Sequence, residues 1–324
     1  MTTLWDTTGT AVVQALAAAR HHTGSVSSGL ALTLVAVADG NLVAEAEQAA
    51  TAAAAQHPCR LLLVVRHALS TPQPRLDAEV SVGGPLGPGE AVMLHMHGRL
   101  TLHPESVVLP LLAPDAPVVT WWFGAPPDRI ARDPLGTIAD RRITDTSRAP
   151  DPLAAVRTRA VDYAPGDTDL AWTRITMWRS LCASAFDSLA GEVREVSVSG
   201  EASNPSRALL AGWLGSKLGH EVAQEDTAGP GITGVRLVVG DDEVRVARTD
   251  GRTAVLQRSA QPDRVMPLPR RQLSELLTEE LRRLDPDEVY AEALATVTGV
   301  SGLEERSPRR TFVWFDPADP GSVA

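Results

Sequence analysis

The sequence predicts an α/β protein of two domains, each a mixed β-sheet packed with helices. Three observations lead there. At 324 residues the chain exceeds a typical single domain. Two continuous apolar runs, 30–38 (LALTLVAVA) and 59–66 (CRLLLVVR), flank an Ala-rich helical stretch at 42–55, the pattern of a βαβ unit with strands buried on both faces. The second half repeats the alternation on its own, with strand, loop and helix over 194–219, short strands over 235–259 and two closing helices. We place an N-terminal domain at 1–165, a C-terminal domain at 166–310 and a tail at 311–324.

In order, Thr8 or Thr10 caps a helix running to about His22, with Leu4-Trp5 anchoring the chain before it. The βαβ unit follows. Alternating segments near 75–82 and 90–100, joined by GGPLGPG, predict an antiparallel hairpin with one wet face. A helix over 104–112 opens with Pro104, and 116–127 (APVVTWWFGAPP) is a buried strand emptying into a Gly/Pro loop. Residues 128–162 read as two helical pieces rich in Arg and Asp. Beyond them 167–187 (DTDLAWTRITMWRSLCASAFD) reads as one amphipathic helix opening the second domain. Its apolar arc holds Ala171, Ile175, Trp178, Leu181, Cys182, Ala185 and Phe186, and Asp167, Thr168 and Asp169 supply capping oxygens. A strand over 194–200, a helix over 206–219, three strands over 235–259 and helices over 267–283 and 286–296 complete the domain. The tail carries one short aromatic strand-like segment.

Composition sets limits. With 44% hydrophobic residues the chain can bury real cores, and a net charge of −10 without a long Lys/Arg run argues against nucleic acid or an anionic membrane as partner. No apolar run approaches bilayer length. Two cysteines make no disulfide framework, and MTTLWDTTGTAVVQ lacks a secretory pattern, so the expected location is cytoplasmic.

Motifs for catalysis are missing: there is no P-loop, no GxGxxG after a strand, no GxSxG, no HExxH and no CxxC. No catalytic residue, metal or cofactor is therefore assigned. His95 and His97 face the same way on a strand, with His103 nearby, but no carboxylate or thiolate completes a metal set. Cys59 and Cys182 both sit at apolar positions as packing. The loop 199–207 (SGEASNPSR) admits two readings. Asn204 or Ser203 simply caps the helix that begins at Pro205, or Ser203, Asn204, Ser206 and Arg207 form an anion site at its positive end.

Trp and Arg at the edges of elements form the other constellation. Arg174 lies at one edge of the apolar arc and Trp172 with Arg179 at the other. Either they pair within the chain, or they belong to a surface used by another molecule. Trp121 and Trp122 face opposite sides of one strand, so one of them meets a second layer, a domain interface or a partner.

Taken together, 58–65 (PCRLLLVV), 110–124 (PLLAPDAPVVTWWFG), 139–145 (ADRRITD) and 163–179 (YAPGDTDLAWTRITMWR) resemble the OpcA family of glucose-6-phosphate dehydrogenase assembly proteins, of the actinobacterial type. The likeness covers most of the chain. It implies a non-catalytic, cytoplasmic protein that binds glucose-6-phosphate dehydrogenase and promotes its active oligomeric state, feeding NADPH production in the pentose phosphate pathway. The matching positions are Trp121, Trp122, Asp169, Trp172, Arg174, Trp178 and Arg179, with Trp178 chiefly core and the others either touching the dehydrogenase or clamping the two domains in register. Thioredoxin control, linked to cysteines in cyanobacterial members, is not carried over to a chain with two cysteines. The alternative is a sensor of sugar phosphate or nucleotide, or a divergent enzyme, using the 199–207 loop, so a phosphorylated metabolite stands beside the dehydrogenase as an expected partner.

Overall fold

The computed structural model describes residues 1–23, 30–83, 89–187, 189, 191–248, 250–259 and 261–308. The centre of the GGPLGPG turn and the tail expected at 311–324 lie outside the described residues. The chain forms two compact units, the first built from Met1–Thr144 and Leu273–Asp285, the second from Asp145–Gln272 and Pro286–Arg306. It thus changes unit earlier than the expected 165, because the helix after Thr144 sends Val156 and Ala160 into the second core. It also returns to the first unit for one helix, Leu273–Arg282, which packs on an Ala-rich helix there.

In the first unit the order is β1 (Thr2–Leu4), α1 (Gly9–Thr23), β2 (Leu32–Asp39), α2 (Val43–Ala54), β3 (Cys59–Arg66), β4 (Arg75–Val82) and β5 (Glu90–His97). Then come α3 (Glu105–Val108), β6 (Val118–Phe123), α4 (Pro134–Thr137) and β7 (Arg141–Thr144). The strands lie in the order β1-β4-β5-β3-β2-β6-β7. β2 pairs in parallel with β3 and β6, so its side chains are covered on both faces and Leu34, Val35 and Ala36 have no exposure. That is why this run reads as uninterrupted apolar sequence. Burying each such Leu or Val contributes about 1.5–3 kcal/mol. α2 buries Ala46, Ala49, Ala50, Ala53 and Ala54, small side chains that let another helix approach closely. The expected hairpin is present, Arg75 opposite His97 and Val82 opposite Glu90, and β5 alternates buried and half-buried residues along its length.

β7 departs from the expectation of helix at 128–162. Arg141 and Arg142 are buried strand residues: Arg141 donates Nε to Glu280 at 3.1 Å and Nη1 to the Asp285 carbonyl at 2.8 Å, and Arg142 donates to the Ala139 carbonyl. Two internally satisfied guanidiniums hide a core strand from hydropathy.

The second unit opens with α5 (Pro152–Asp162), capped by the Asp151 carboxylate, and continues with β8 (Asp167–Asp169), α6 (Leu170–Thr173) and α7 (Thr176–Phe186). The single helix expected over 167–187 is thus three elements. Asp169 is extended (φ −135°, ψ 136°) and its carboxylate accepts from the Ala171 N–H at 2.9 Å, which starts α6 only there. α6 stops where the Ile175 N–H bonds back to the Trp172 carbonyl, an i to i−3 tightening. The Ile175 carbonyl then opens α7 by accepting from Arg179 N at 2.8 Å. Within α7 the apolar arc holds, with Trp178, Cys182 and Ala185 buried.

The remaining elements are β9 (Val193–Gly200), α8 (Pro205–Leu218), β10 (Ala223–Asp226), β11 (Ile232–Val239), β12 (Asp242–Ala247), β13 (Thr253–Arg258), β14 (Gln261–Pro267), α9 (Leu273–Arg282, in the first unit) and α10 (Glu288–Thr298). The sheet order is β10-β9-β11-β12-β13-β14. The expected meander is there. Its two outer strands, β10 and β14, were not legible: AQED and QPDRVMP are polar, exposed edge sequences, and β14 occupies the start of what read as helix at 267–283.

Candidate functional site

Two aspartates organise the centre of the second unit. Asp169, 1% exposed, accepts from the Thr146 N–H, the Thr146 hydroxyl and the Ala171 N–H at 2.9–3.2 Å. Asp145 takes both Nη1 and Nη2 of Arg174 at 2.7 Å, and the N–H and hydroxyl of Ser147 on the same oxygen. Burial by itself would lower the Arg174 pKa; the paired Asp145 carboxylate outweighs it and holds the guanidinium more firmly charged than usual. Trp172 donates its indole N–H to Asp287 at 2.8 Å, while Asp287 also caps α10 through the Tyr290 N–H. Arg179 lies 3.7 Å over the Trp172 ring.

These contacts hold Trp172, Arg174 and Arg179 to partners within the second unit. Trp121, Trp122, Trp172 and Trp178 are each at most 2% exposed, Trp122 within the first unit's core and Trp178 in the second's. The four indoles thus expose almost no surface. Arg174 and Arg179 are half-buried and engaged as described.

In the loop 199–207 the expected cap is formed. Asn204 Oδ1 accepts from the Arg207 N–H at 3.1 Å, and Ser206 donates its hydroxyl to the Ala171 carbonyl at 2.7 Å. Ser203 is exposed in the turn. The Arg207 guanidinium, expected to help hold an anion, is buried and donates to the carbonyls of Gly200, Ala202 and Glu225 and to Asp226. It ties β9, β10 and the loop together; of the set Ser203, Asn204, Ser206 and Arg207, Asn204 and Ser206 line one cavity and Ser203 and Arg207 are not among its lining residues.

One cavity has Glu201, Asn204 and Ser206 of that loop in its wall. It measures about 280 Å³, lies entirely within the second unit, and takes four guanidiniums into its wall, those of Arg174, Arg248, Arg270 and Arg271. Asn204, Ser206, Ile232 and Trp178 complete much of the rest, and Glu201 is the carboxylate among the lining residues. Arg248 donates Nη2 to the Ile232 carbonyl at 2.9 Å, lies 5.2 Å over the Trp178 ring, and has a buried Nε without a partner. Burial, then the nearby Arg270, pushes its pKa down to about 10, so it stays charged at neutral pH. Arg270 donates to the Pro230 carbonyl at 2.7 Å and Arg271 to the Thr173 carbonyl at 3.3 Å. Sequence reasoning passed over Arg248, Arg270 and Arg271; their signal was one Arg in an alternating strand and an Arg pair after Pro269, neither of which marks a shared cavity until the strands are folded.

In the first unit, His67 Nε2 lies 3.0 Å from His95 Nδ1 and stacks on His97 at 4.2 Å, with His97 Nε2 3.5 Å from Asp77. Burial first, then the neighbouring imidazoles, lowers the pKa of His67 and His95. His103 is held instead by Glu105. Among the described residues no group of His, Cys, Asp and Glu is placed to hold a metal ion. Cys59 and Cys182 are free, buried thiols. No helix among the described residues is long and apolar enough to cross a membrane.

The chain is of the two-unit, mixed α/β class, and comparison with known proteins gives it a description. Residues 50–161 match the family model for the glucose-6-phosphate dehydrogenase subunit N-terminal domain, and residues 165–294 that for the C-terminal domain of the same subunit. The chain belongs to the OpcA family. A protein of Synechococcus elongatus, named OxPP cycle protein OpcA, is 30% identical over 186 residues, covering 52% of this chain and 41% of that protein. Its namesake in Synechocystis is 28% identical over 182 residues, 51% of this chain and 38% of that protein. The chain thus aligns with less than half the length of these relatives. Among solved structures, a 3-ketoreductase from Actinomadura kijaniata superposes with a TM-score of 0.44 at 10% identity, over 83% of this chain and 95% of that one.

Proposed function

We propose that this chain is a non-catalytic subunit that binds glucose-6-phosphate dehydrogenase and promotes its active oligomeric state, in the cytoplasm, in support of the oxidative pentose phosphate pathway. What carries the reading is the pair of adjoining family matches, both described as parts of a subunit of that dehydrogenase. The chemistry of the chain is compatible with it: the conspicuous residues of its shared motifs, Asp169, Trp172 and Arg174, are spent on internal bonds. They act by fixing a rigid second unit, and the contact surface for the dehydrogenase lies elsewhere.

A protein that biases an oligomer must bind the favoured state more tightly than the alternative, so its effect saturates at a fixed stoichiometry. Sedimentation velocity of the purified chain with the dehydrogenase of the same cell, read alongside dehydrogenase activity, tests this. A larger complex and an activity that plateaus at a fixed ratio are expected. No association at micromolar concentrations, or turnover of a metabolite by the chain alone, overturns the reading.

A further inference from the structure

The cavity of the second unit concentrates positive charge in a chain of net charge −10. Arg174 is neutralised by Asp145. The bonds of Arg248 and Arg270 run to the backbone carbonyls of Ile232 and Pro230, which orient a guanidinium without cancelling its charge. Holding like charges around one small space is unfavourable unless an anion enters it. A planar guanidinium presents paired N–H donors that match two oxygens of a phosphate, and the buried, unpartnered Nε of Arg248 belongs to such a fork. The first turn of α8, whose positive dipole end meets the cavity at Asn204 and Ser206, adds to the same field.

Size and the remaining polar groups narrow the ligand. A volume of about 280 Å³ falls at the low end of small-molecule sites, which run from about 300 to 1,000 Å³. It suits a monophosphate and is too small for a dinucleotide. Glu201 would repel the phosphate but accepts hydrogen bonds from hydroxyls, and it already accepts from the Gly231 N–H at 3.3 Å at the cavity wall. Asn204 uses Oδ1 for its cap and keeps its amide N–H₂ to donate. A ligand with a phosphate at one end and hydroxyls at the other satisfies both parts of the wall.

We propose that the second unit binds a small phosphorylated polyhydroxy metabolite, its phosphate held by Arg248 and Arg270 and its hydroxyls by Glu201 and Asn204. This stands apart from the docking reading, since it concerns the chain by itself.

The test is isothermal titration of the full chain, without dehydrogenase, using a hexose 6-phosphate, the parent hexose, inorganic phosphate and NADP as probes. The hexose phosphate is expected to bind, inorganic phosphate to bind more weakly, and the parent hexose and NADP not at all. Arg270 is exposed, so Arg270→Ala is expected to keep the melting temperature of the free protein and weaken the hexose phosphate at least tenfold. Arg248→Lys keeps the charge and loses the fork, and is expected to weaken it as well. Glu201→Gln separates the two ends: it weakens the hexose phosphate and spares inorganic phosphate. Failure of the hexose phosphate to bind at millimolar concentration overturns the proposal, as does an affinity unchanged in a folded Arg270→Ala. Equal affinity for inorganic phosphate and hexose phosphate overturns the hydroxyl half.

Discussion

Asp145 grips Arg174 through two parallel hydrogen bonds of 2.7 Å each, across 29 residues of sequence. The Asp145 side chain is 1% exposed, so without its partner the carboxylate keeps only the two Ser147 donors. Arg174→Met is therefore expected to cost about 3 kcal/mol, the usual loss when one member of a buried pair is removed. The double variant Asp145→Asn with Arg174→Met recovers much of that. Urea unfolding of the single and double variants checks it, and equal losses in the two would refute the pairing as the cause.

Glu90 contributes to the acid stability of the first unit. Burial acts to raise its pKa, but hydrogen bonds from Arg20 at 2.6 and 2.9 Å and from Arg60 at 2.8 Å prevail and hold it below its ordinary 4.5. A carboxylate depressed on folding contributes stability that is complete above the unfolded value and is lost as pH falls through the folded one. Wild type is thus expected to lose stability between about pH 5 and the lower folded value, and Glu90→Gln to be less stable at pH 7 with a flatter profile. Thermal melts from pH 7 to 3 measure both.

Both thiols are inert in the folded chain. Burial pushes Cys59 and Cys182 up to about 12, and neither forms a disulfide. Since the thiolate is the reacting species, an aromatic disulfide reagent at pH 8 should label neither residue in the native protein and both in urea. Rapid native labelling of either one would contradict the burial found here.

Arg207 holds the edge of the second sheet. Its side chain, 7% exposed, donates to three carbonyls and to Asp226, and β10 is otherwise an exposed edge strand. Arg207→Met leaves those carbonyls without a donor and is expected to destabilise by about 2–4 kcal/mol, with amide exchange of β10 accelerated first. Arg207→Lys should rescue little, because an ammonium cannot reach all four acceptors from one position. Exchange measured by mass spectrometry separates loss at β10 from general unfolding.

The elements that hydropathy controls were legible. β2, α2, β3 and the β4–β5 hairpin fall where periodicity puts them, because their burial is decided by residue type alone. β7 was not, since Arg141 and Arg142 read as surface until Glu280 and the Asp285 carbonyl meet Arg141 from more than a hundred residues away. The late start at Asp169 and the break at Ile175 escaped as well: Asp169 and Arg174 look like cap and surface charge along the sequence, and their partners Thr146 and Asp145 lie more than twenty residues away. The candidate sites divide the same way. Asn204 as a cap was available from its place before Pro205, whereas the gathering of Arg248, Arg270 and Arg271 with Arg174 joins separate elements.

By itself, then, the sequence determined the α/β class, most strands and helices, and the family, because periodicity and short motifs are local properties. Whether Trp121, Trp122 and Trp172 would be surface or core, where Arg207 would aim, and which arginines share a cavity were decided only in three dimensions. The physical reason is that a polar or amphipathic side chain takes its role from its partner, and these partners are remote along the chain.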